Sequence, residues 1–532
     1  MESGRICSTR IKALVMILLF TTPCHHLYAG ALSSLAKNDP YPIYTSLDPQ
    51  EYLFTREKIM IKGFPLLLPY PQYMSFSLSP FGQNACGGKN FCGKRVPLGD
   101  LDGRWNMLGL LYDPLPEGRV LPPRLQTAKD IIFPPGSMGP VTPDILDDGR
   151  FVDPAHLFGF FSVPLDYKKR GFRFQFSTML SCTVGIIFEG GVSDIVQKVV
   201  GFDNLTCQIC SEYEDRINPC LPPPCCDRIR LEPCETTTSC PTIQPLCTYS
   251  VTGPILCCNR ENLFPNCAST EPNPSSANLT CQNVNKLLMY ELATIAKEIG
   301  LDICNFHDTS IEDIRLRLFW RDAFYINKGL AGWAEFLLIP YAELGGTIGI
   351  AKAKKPNVAF SLPFGNNGHS SLGGAVGINF DFIETIEIGA EAGITHFFSR
   401  DICDFRIPNG VPTRECQLGI YPFTTDVRVD PGLNWHFGAK MQAYHFLDRL
   451  SVYIQYLLIH HENDTITLKK PDPAFRPKIL EKSSYWTAQI ANIGFNYDIS
   501  PSMSLGVLWQ APLSQRNAYR TSTVLFSFSG TY

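Results

Sequence analysis

No uninterrupted apolar run approaches the roughly 20 residues that a membrane-crossing helix needs, and the apolar stretch 13–20 is far too short to serve. If a membrane holds this chain, strands must do it, because only helices and closed barrels satisfy their backbone in lipid. Charge is also scarce: 18% of residues are charged, below the usual quarter. The formal net charge is −4, and no basic tract exceeds Lys168, Lys169 and Arg170, which excludes nucleic acid as a partner. Catalytic signatures are missing too. There is no Gly-rich phosphate loop, no HExxH and no G-x-S-x-G elbow. Glu387 and Glu391 share one strand face without a Ser or His at a recognisable spacing, so no enzyme and no cofactor is expected. His460 and His461 end a strand and read as solvated rim residues rather than metal ligands.

What the chain does have is aromatic residues, at 12% with 35 Phe and 21 Tyr, and many Gly (41) and Pro (42). That mixture suits numerous strands joined by Pro-rich loops. The first 31 residues read as a signal peptide. Arg5, Arg10 and Lys12 precede the apolar core 13–20, and Ala29, Gly30 and Ala31 supply a small-residue cleavage site. Residues 32–156 read as an irregular N-terminal segment, a cap or a plug, with one candidate strand near residues 74–78.

From residue 157 onward the pattern has period two. A hairpin is expected at 161–177, turning at Lys168, Lys169, Arg170 and Gly171. Beyond residue 310 each run has an apolar and a polar face. Leu316, Leu318 and Trp320 oppose Arg315, Arg317 and Arg321, with Arg173 on the corresponding face of the earlier hairpin. Ile378 and Phe380 oppose Asp381, and Ile386 and Ile388 oppose Glu387 and Glu391. Trp435, Phe437 and Met441 oppose Asn434, His436, Lys440 and Gln442; Phe495 and Tyr497 oppose Asn492, Asn496 and Asp498. The phase breaks near Ile490, where Trp486, Ala488 and Ile490 fall opposite to the rest, and a bulge is expected there. In the last stretch, Val524, Phe526, Phe528, Gly530 and Tyr532 share one face.

Many of these runs reach about ten residues, the length needed to cross a bilayer at a tilt. Short turns alternate with long connections such as 399–432 and 462–482, and Trp320, Trp333, Trp435, Trp486 and Trp509 sit in or at the ends of runs. With its terminal aromatic strand, the chain resembles the bacterial outer-membrane β-barrel proteins, a porin-like class. The resemblance implies an all-β fold, a transmembrane antiparallel barrel of about 12 strands, with 10–14 admissible, spanning 157–532. It also implies an outer-membrane location, contact with the lipid bilayer and delivery by the outer-membrane assembly machinery.

The barrel is expected to be interrupted at 204–311 by a Cys-rich external loop, followed within it by a helix over 284–299. Thirteen of the twenty cysteines fall between Cys207 and Cys304. An exported, Pro-rich segment of this kind is stapled by disulfides; zinc binding through Cys207-x-x-Cys210 is the competing reading. Cys207 and Cys281 sit in matching Asn-Leu-Thr-Cys-Gln repeats and are candidates to pair, as are Cys86 with Cys92 and Cys403 with Cys416.

The expected function is a porin-like channel for small solutes. Its pore would be lined by Arg173, Arg315, Arg317, Arg321, Asp381, Glu387, Glu391, Asn434, His436, Lys440, Gln442, Asn492, Asn496 and Asp498, with signs close enough to balance for weak charge selectivity. The alternatives are a non-conducting surface protein whose Cys-rich loop binds an extracellular partner or supports the envelope, and a soluble secreted β-protein.

Overall fold

Strand β1 (Met74–Ala85) bonds along one edge to β2 (Leu165–Met179) and along the other to β12 (Ser522–Thr531), and this double pairing closes the sheet on itself. Between them run β3 (Val184–Val199), β4 (Phe306–Ile311 continued by Ile314–Arg321), β5 (Phe336–Ile348), β6 (Ser371–Phe382), β7 (Ile386–Phe397), β8 (Asn434–Leu447), β9 (Leu450–His461), β10 (Trp486–Ser500) and β11 (Met503–Arg516). Every neighbouring pair is antiparallel, giving a closed barrel of 12 strand positions. This computed structural model describes residues 74–90, 93–101, 105–106, 115–132, 144–145, 151–152, 160–181, 183–204, 228–231, 243–245, 291–326, 336–382, 386–407, 422–447, 449–500 and 502–531. The signal peptide, Trp333, Tyr532 and the cysteines 92, 207, 281 and 416 lie outside them.

Connections sort by rim. β2–β3, β6–β7, β8–β9 and β10–β11 are joined by links of a few residues, at the rim where Ser75 faces Thr531. The β4–β5 connection, 322–335, is longer and lies at the same rim, and the opposite rim carries the longest ones: 86–164, 200–305, 349–370, 398–433 and 462–485. Over that rim sits the largest apolar core. It joins Leu125 and Ala128 of helix α1 (Pro123–Ile132), Leu292, Ile295 and Ala296 of α2 (Leu292–Glu298), and Phe360, Leu362 and Phe364 of the 349–370 loop to the inward barrel residues Ala85, Tyr167 and Ile195. A separate three-stranded sheet (Arg400–Phe405, Thr425–Asp430, Thr465–Leu468) packs beside it over Ile402, Val427, Val429 and Ile466.

Several expectations need correction. The expected barrel boundary at 157 falls too late, since β1 lies inside the segment read as irregular. There is no turn at 168–171: β2 is one strand, and its basic tract alternates sides. Lys168 and Arg170 point outward, while Lys169 points inward to Glu312 at 2.7 Å. Gly171 lets β2 and β3 approach, because a Cβ there would sit 2.1 Å from the carbonyl oxygen of Val192. The strand count of twelve therefore survives because the supposed hairpin is one strand and β1 replaces its partner. The Cys-rich insertion ends before Phe306, not at 311; of the helix expected over 284–299, α2 covers Leu292–Glu298, and 284–290 lie outside the described residues.

Near Ile490 the alternation of β10 is unbroken. Trp486, Ala488 and Ile490 face inward because an apolar cluster with Phe397, Leu457 and Ile459 fills that end of the lumen. The register slip at this level lies in β11, where Gln489 pairs with Ser514 and Ile490 with Pro512, leaving Leu513 as the extra residue.

Candidate functional site

The two faces of the sheet are chemically inverted relative to a soluble protein. Leu316, Leu318, Ile378, Phe380, Ile388, Phe437, Phe495, Leu505, Phe526 and Phe528 are among the large apolar side chains exposed on the outside, in a belt that continues around the barrel. Trp320, Trp435 and Trp509 are exposed there as well, whereas Trp486 is buried inside. The inward positions of the same strands are Arg, Lys, Glu, Asn, Gln and Ser. A closed ring of strands with an apolar exterior and a polar interior is stable only with lipid around it. This is a transmembrane β-barrel of the outer-membrane type. Val524, Phe526 and Phe528 of β12 lie on its lipid face, and the strand closes the ring by pairing with β1.

No protein family model and no curated protein sequence matches the chain. Among solved structures it is similar to an outer membrane channel from Pseudomonas putida F1, with 6% identity, 87% of this chain and 96% of that chain covered, and a TM-score of 0.39. The CymD monoaromatic hydrocarbon channel gives 8% identity over 94% and 98% with a TM-score of 0.28. A FadL homologue from Pseudomonas aeruginosa gives 8% over 87% and 90% with 0.22. None reaches a TM-score of 0.5, and the assignment of the outer-membrane barrel rests on its own strand pairing and faces.

The lumen of the outer-membrane barrel has two unlike walls. Strands β2 to β8 carry its charges. Arg317 lies between Glu189, with which it pairs closely, and Glu343 at 3.5 Å; Arg315 is 3.4 Å from Glu189. Glu312, at the break in β4, takes Lys169 at 2.7 Å and Arg173 at 2.8 Å. Lys440 pairs with Glu387, and Tyr341 donates to Glu391 at 3.0 Å. Arg321 lies 4.8 Å over the ring of Phe319 and 5.8 Å from that of Tyr341, with no carboxylate in bonding reach among the described residues. Across the lumen, β9 to β12 and β1 present Gln455, Asn492, Asn496, Ser504, Thr523, Ser527, Ser529, Ser75, Ser77 and Ser79. Asn492 donates to Gln455 at 2.9 Å, and Ser75 bonds Ser177 across the β1–β2 pair.

The expected lining residues do all face inward, and the structure brings them into one lumen. They are not spread along open water, however: apart from Asp498, half-buried at the turn-side rim, each is buried. Charges at alternate positions of adjacent strands meet across the ladder, and pairing consumes most of the charge that a pore would show to a solute. Sequence periodicity supplied the face but not the partners.

Sequence reading missed the closure of the loop-side mouth. Residues 359–367 of the 349–370 loop are all buried, and their apolar side chains join the core over the mouth. Asp313 holds the loop by accepting from the backbone N–H groups of Ala351 at 2.9 Å and Asn366 at 2.6 Å. Gly365 packs against that carboxylate, where a Cβ would lie 2.0 Å from Oδ2. Asn367 and Gly368 turn the chain with φ of 54° and 76°, and Arg400 donates to the Asn367 carbonyl at 3.1 Å. His369 contacts the Phe398 carbonyl through Nδ1 at 3.0 Å; burial holds its imidazole down to about 4. A sequence signal exists in retrospect: the charge-free run 356–369, carrying Asn366, Asn367 and Gly368, differs from the polar loops around it.

His461 is not a solvated rim residue. It is fully buried, with Nδ1 2.5 Å from Asn434 Oδ1 and Nε2 2.9 Å from Asp464 Oδ1, and it stacks on Trp486. This triad fixes the start of β8 and the end of β9.

Proposed function

We propose that this barrel is a solute channel whose loop-side mouth is stoppered by residues 349–370. The observation that carries the reading is the way the mouth is shut. The closing segment is a connection laid across the lumen and tied to the wall through Asp313, separate from the strand ladder. Small polar solutes would pass along a lumen already lined with hydrogen-bonding groups. Full-length protein in planar bilayers tests this: wild type should show rare, brief openings. Asp313→Ala, which orphans two buried N–H groups at about 1–3 kcal/mol each, should raise open probability at least tenfold. A silent Asp313→Ala protein that still migrates as a folded barrel on unheated gels overturns the reading.

A second reading, a non-conducting mount that binds a partner outside, is favoured by the outer cleft. A cavity of about 620 Å³ opens between Arg119, Glu298, Asn357, Asp404, Arg406 and Phe423. Its size suits a small ligand or a partner's side chains.

A further inference from the structure

Outside the ion-paired groups, the lumen carries buried neutral groups with hydrogen-bonding capacity to spare. Gln442 Oε1, Asn492 Oδ1, Asn496 Oδ1 and Ser504 Oγ have no protein partner among the described residues, and none of the four side chains is more than 5% exposed. Asn379 Oδ1 and Thr395 Oγ1 add two more from β6 and β7. Buried groups of this kind demand partners. The opposite wall is differently placed. Glu189, Glu312, Glu343 and Glu387 each already hold a Lys or Arg within 3.5 Å, and an entering ion would have to compete with those pairs. Glu391 instead takes the Tyr341 hydroxyl at 3.0 Å, and the Arg321 guanidinium lies over aromatic rings.

We infer that the solute class of this channel is uncharged small molecules rich in hydroxyl or amide groups, hydrogen-bonded along β8, β10 and β11 as they pass. The inference rests on the channel reading and names what that channel selects. A hydroxyl or amide solute supplies both donors and acceptors, so it can satisfy the orphaned oxygens in turn. A cation or anion of equal size satisfies one kind of group and leaves the ion-paired wall unmoved. Sites whose buried polar groups need a solute's hydrogen bonds reject solutes that cannot make them.

The test is liposome swelling with full-length Asp313→Ala protein, comparing glucose and N-acetylglucosamine with gluconate and glucosamine hydrochloride. Neutral sugars should enter several-fold faster than either charged analogue. Asn492→Leu and Ser504→Ala should each slow glucose, the former by about tenfold and the latter by about threefold, as expected for hydrogen bonds of ordinary strength. Folding of both variants is checked by heat-modifiable gel migration. Arg321→Gln should leave glucose entry unchanged. If gluconate enters as fast as glucose, and Arg321→Gln abolishes that entry, the lumen selects anions and the inference falls while the channel stands. If nothing enters, with the barrel folded, both fall together.

Discussion

The two walls of the lumen do different work with the same strand geometry. From β2 to β8 the inward positions form a lattice in which Arg317 bridges two carboxylates and Glu312 holds two cations. From β9 through β12 to β1 the polar inward positions are amides and hydroxyls with short, local bonds, interspersed with the apolar clusters of Trp486, Ala488 and Ile490 and of Phe81, Tyr453, Leu508 and Leu525, and among the described residues Asp498 at the rim is their one carboxylate. A buried ion pair gains little net stability over an apolar replacement, yet losing one partner is severe. Loss of a neutral hydrogen bond costs about 1 kcal/mol. The charged wall is therefore brittle and specifies the shape of the barrel; the neutral wall is tolerant of change.

The sharpest way to break this comparison is Arg317→Ala. It removes the cation that bridges Glu189 and Glu343 in the interior, leaving Glu189 its pair with Arg315, and should cost about 3–5 kcal/mol, read as a large drop in the temperature at which the folded band disappears on gels. An equally mild effect from Arg317→Ala and from a neutral-wall change would abolish the distinction between the walls. Acid should act next most strongly, on the stopper. His369 is held at about 4 against an ordinary 6.5 by burial first, with Arg400 acting the same way, while the Phe398 carbonyl, Asp464 and Asp430 oppose the shift. The folded stopper takes up its proton less readily than the unfolded chain does. Its stabilisation is complete above the unfolded pKa of about 6.5 and is lost as pH falls towards 4, on the order of 3 kcal/mol in all. Protection factors for hydrogen exchange in 359–369, corrected for the intrinsic pH dependence of exchange, should fall between pH 7 and pH 4.5, and His369→Gln should flatten that dependence. Asn492→Ala should lower stability by about 1 kcal/mol, measured by urea unfolding. Ser77→Ala, which removes only the 3.4 Å contacts to Ser79 and Ser529, should fall within about 0.5 kcal/mol of wild type.

Legibility in the sequence follows the same division. The faces could be read because alternation is local: Leu316 and Arg317 point apart whatever else the chain does. The location of β1 could not be settled, since Pro80 and a run of serines weaken its signal and its partners are Phe172 and Leu525, far away in sequence. The basic tract 168–170 mimicked a turn; only Glu312, across the lumen, shows why Lys169 should stay in a strand. For the candidate site the residue set was legible and its state was not. Whether Arg317 lines water or bridges two carboxylates depends on residues from other strands, and periodicity carries no information about them. The stopper was invisible for the same reason, because its burial is created by Ala85, Tyr167 and Ile195.

The seam between β1 and β12 has a consequence for how the molecule comes into being. Ser77 and Ser529 touch across it although 452 residues separate them. The ring cannot be zipped until both strands are present, and such distant pairing forms slowly. Throughout that interval the nascent sheet carries two raw edges, each a template for joining another chain. Pro80 sits in β1 where the ladder to β12 passes from Leu78–Phe528 to Phe81–Leu525, and it has no N–H to offer a wrong partner. The proline that obscured the strand is thus a guard against mispairing, and Pro80→Val should increase aggregation during refolding while leaving the finished barrel intact.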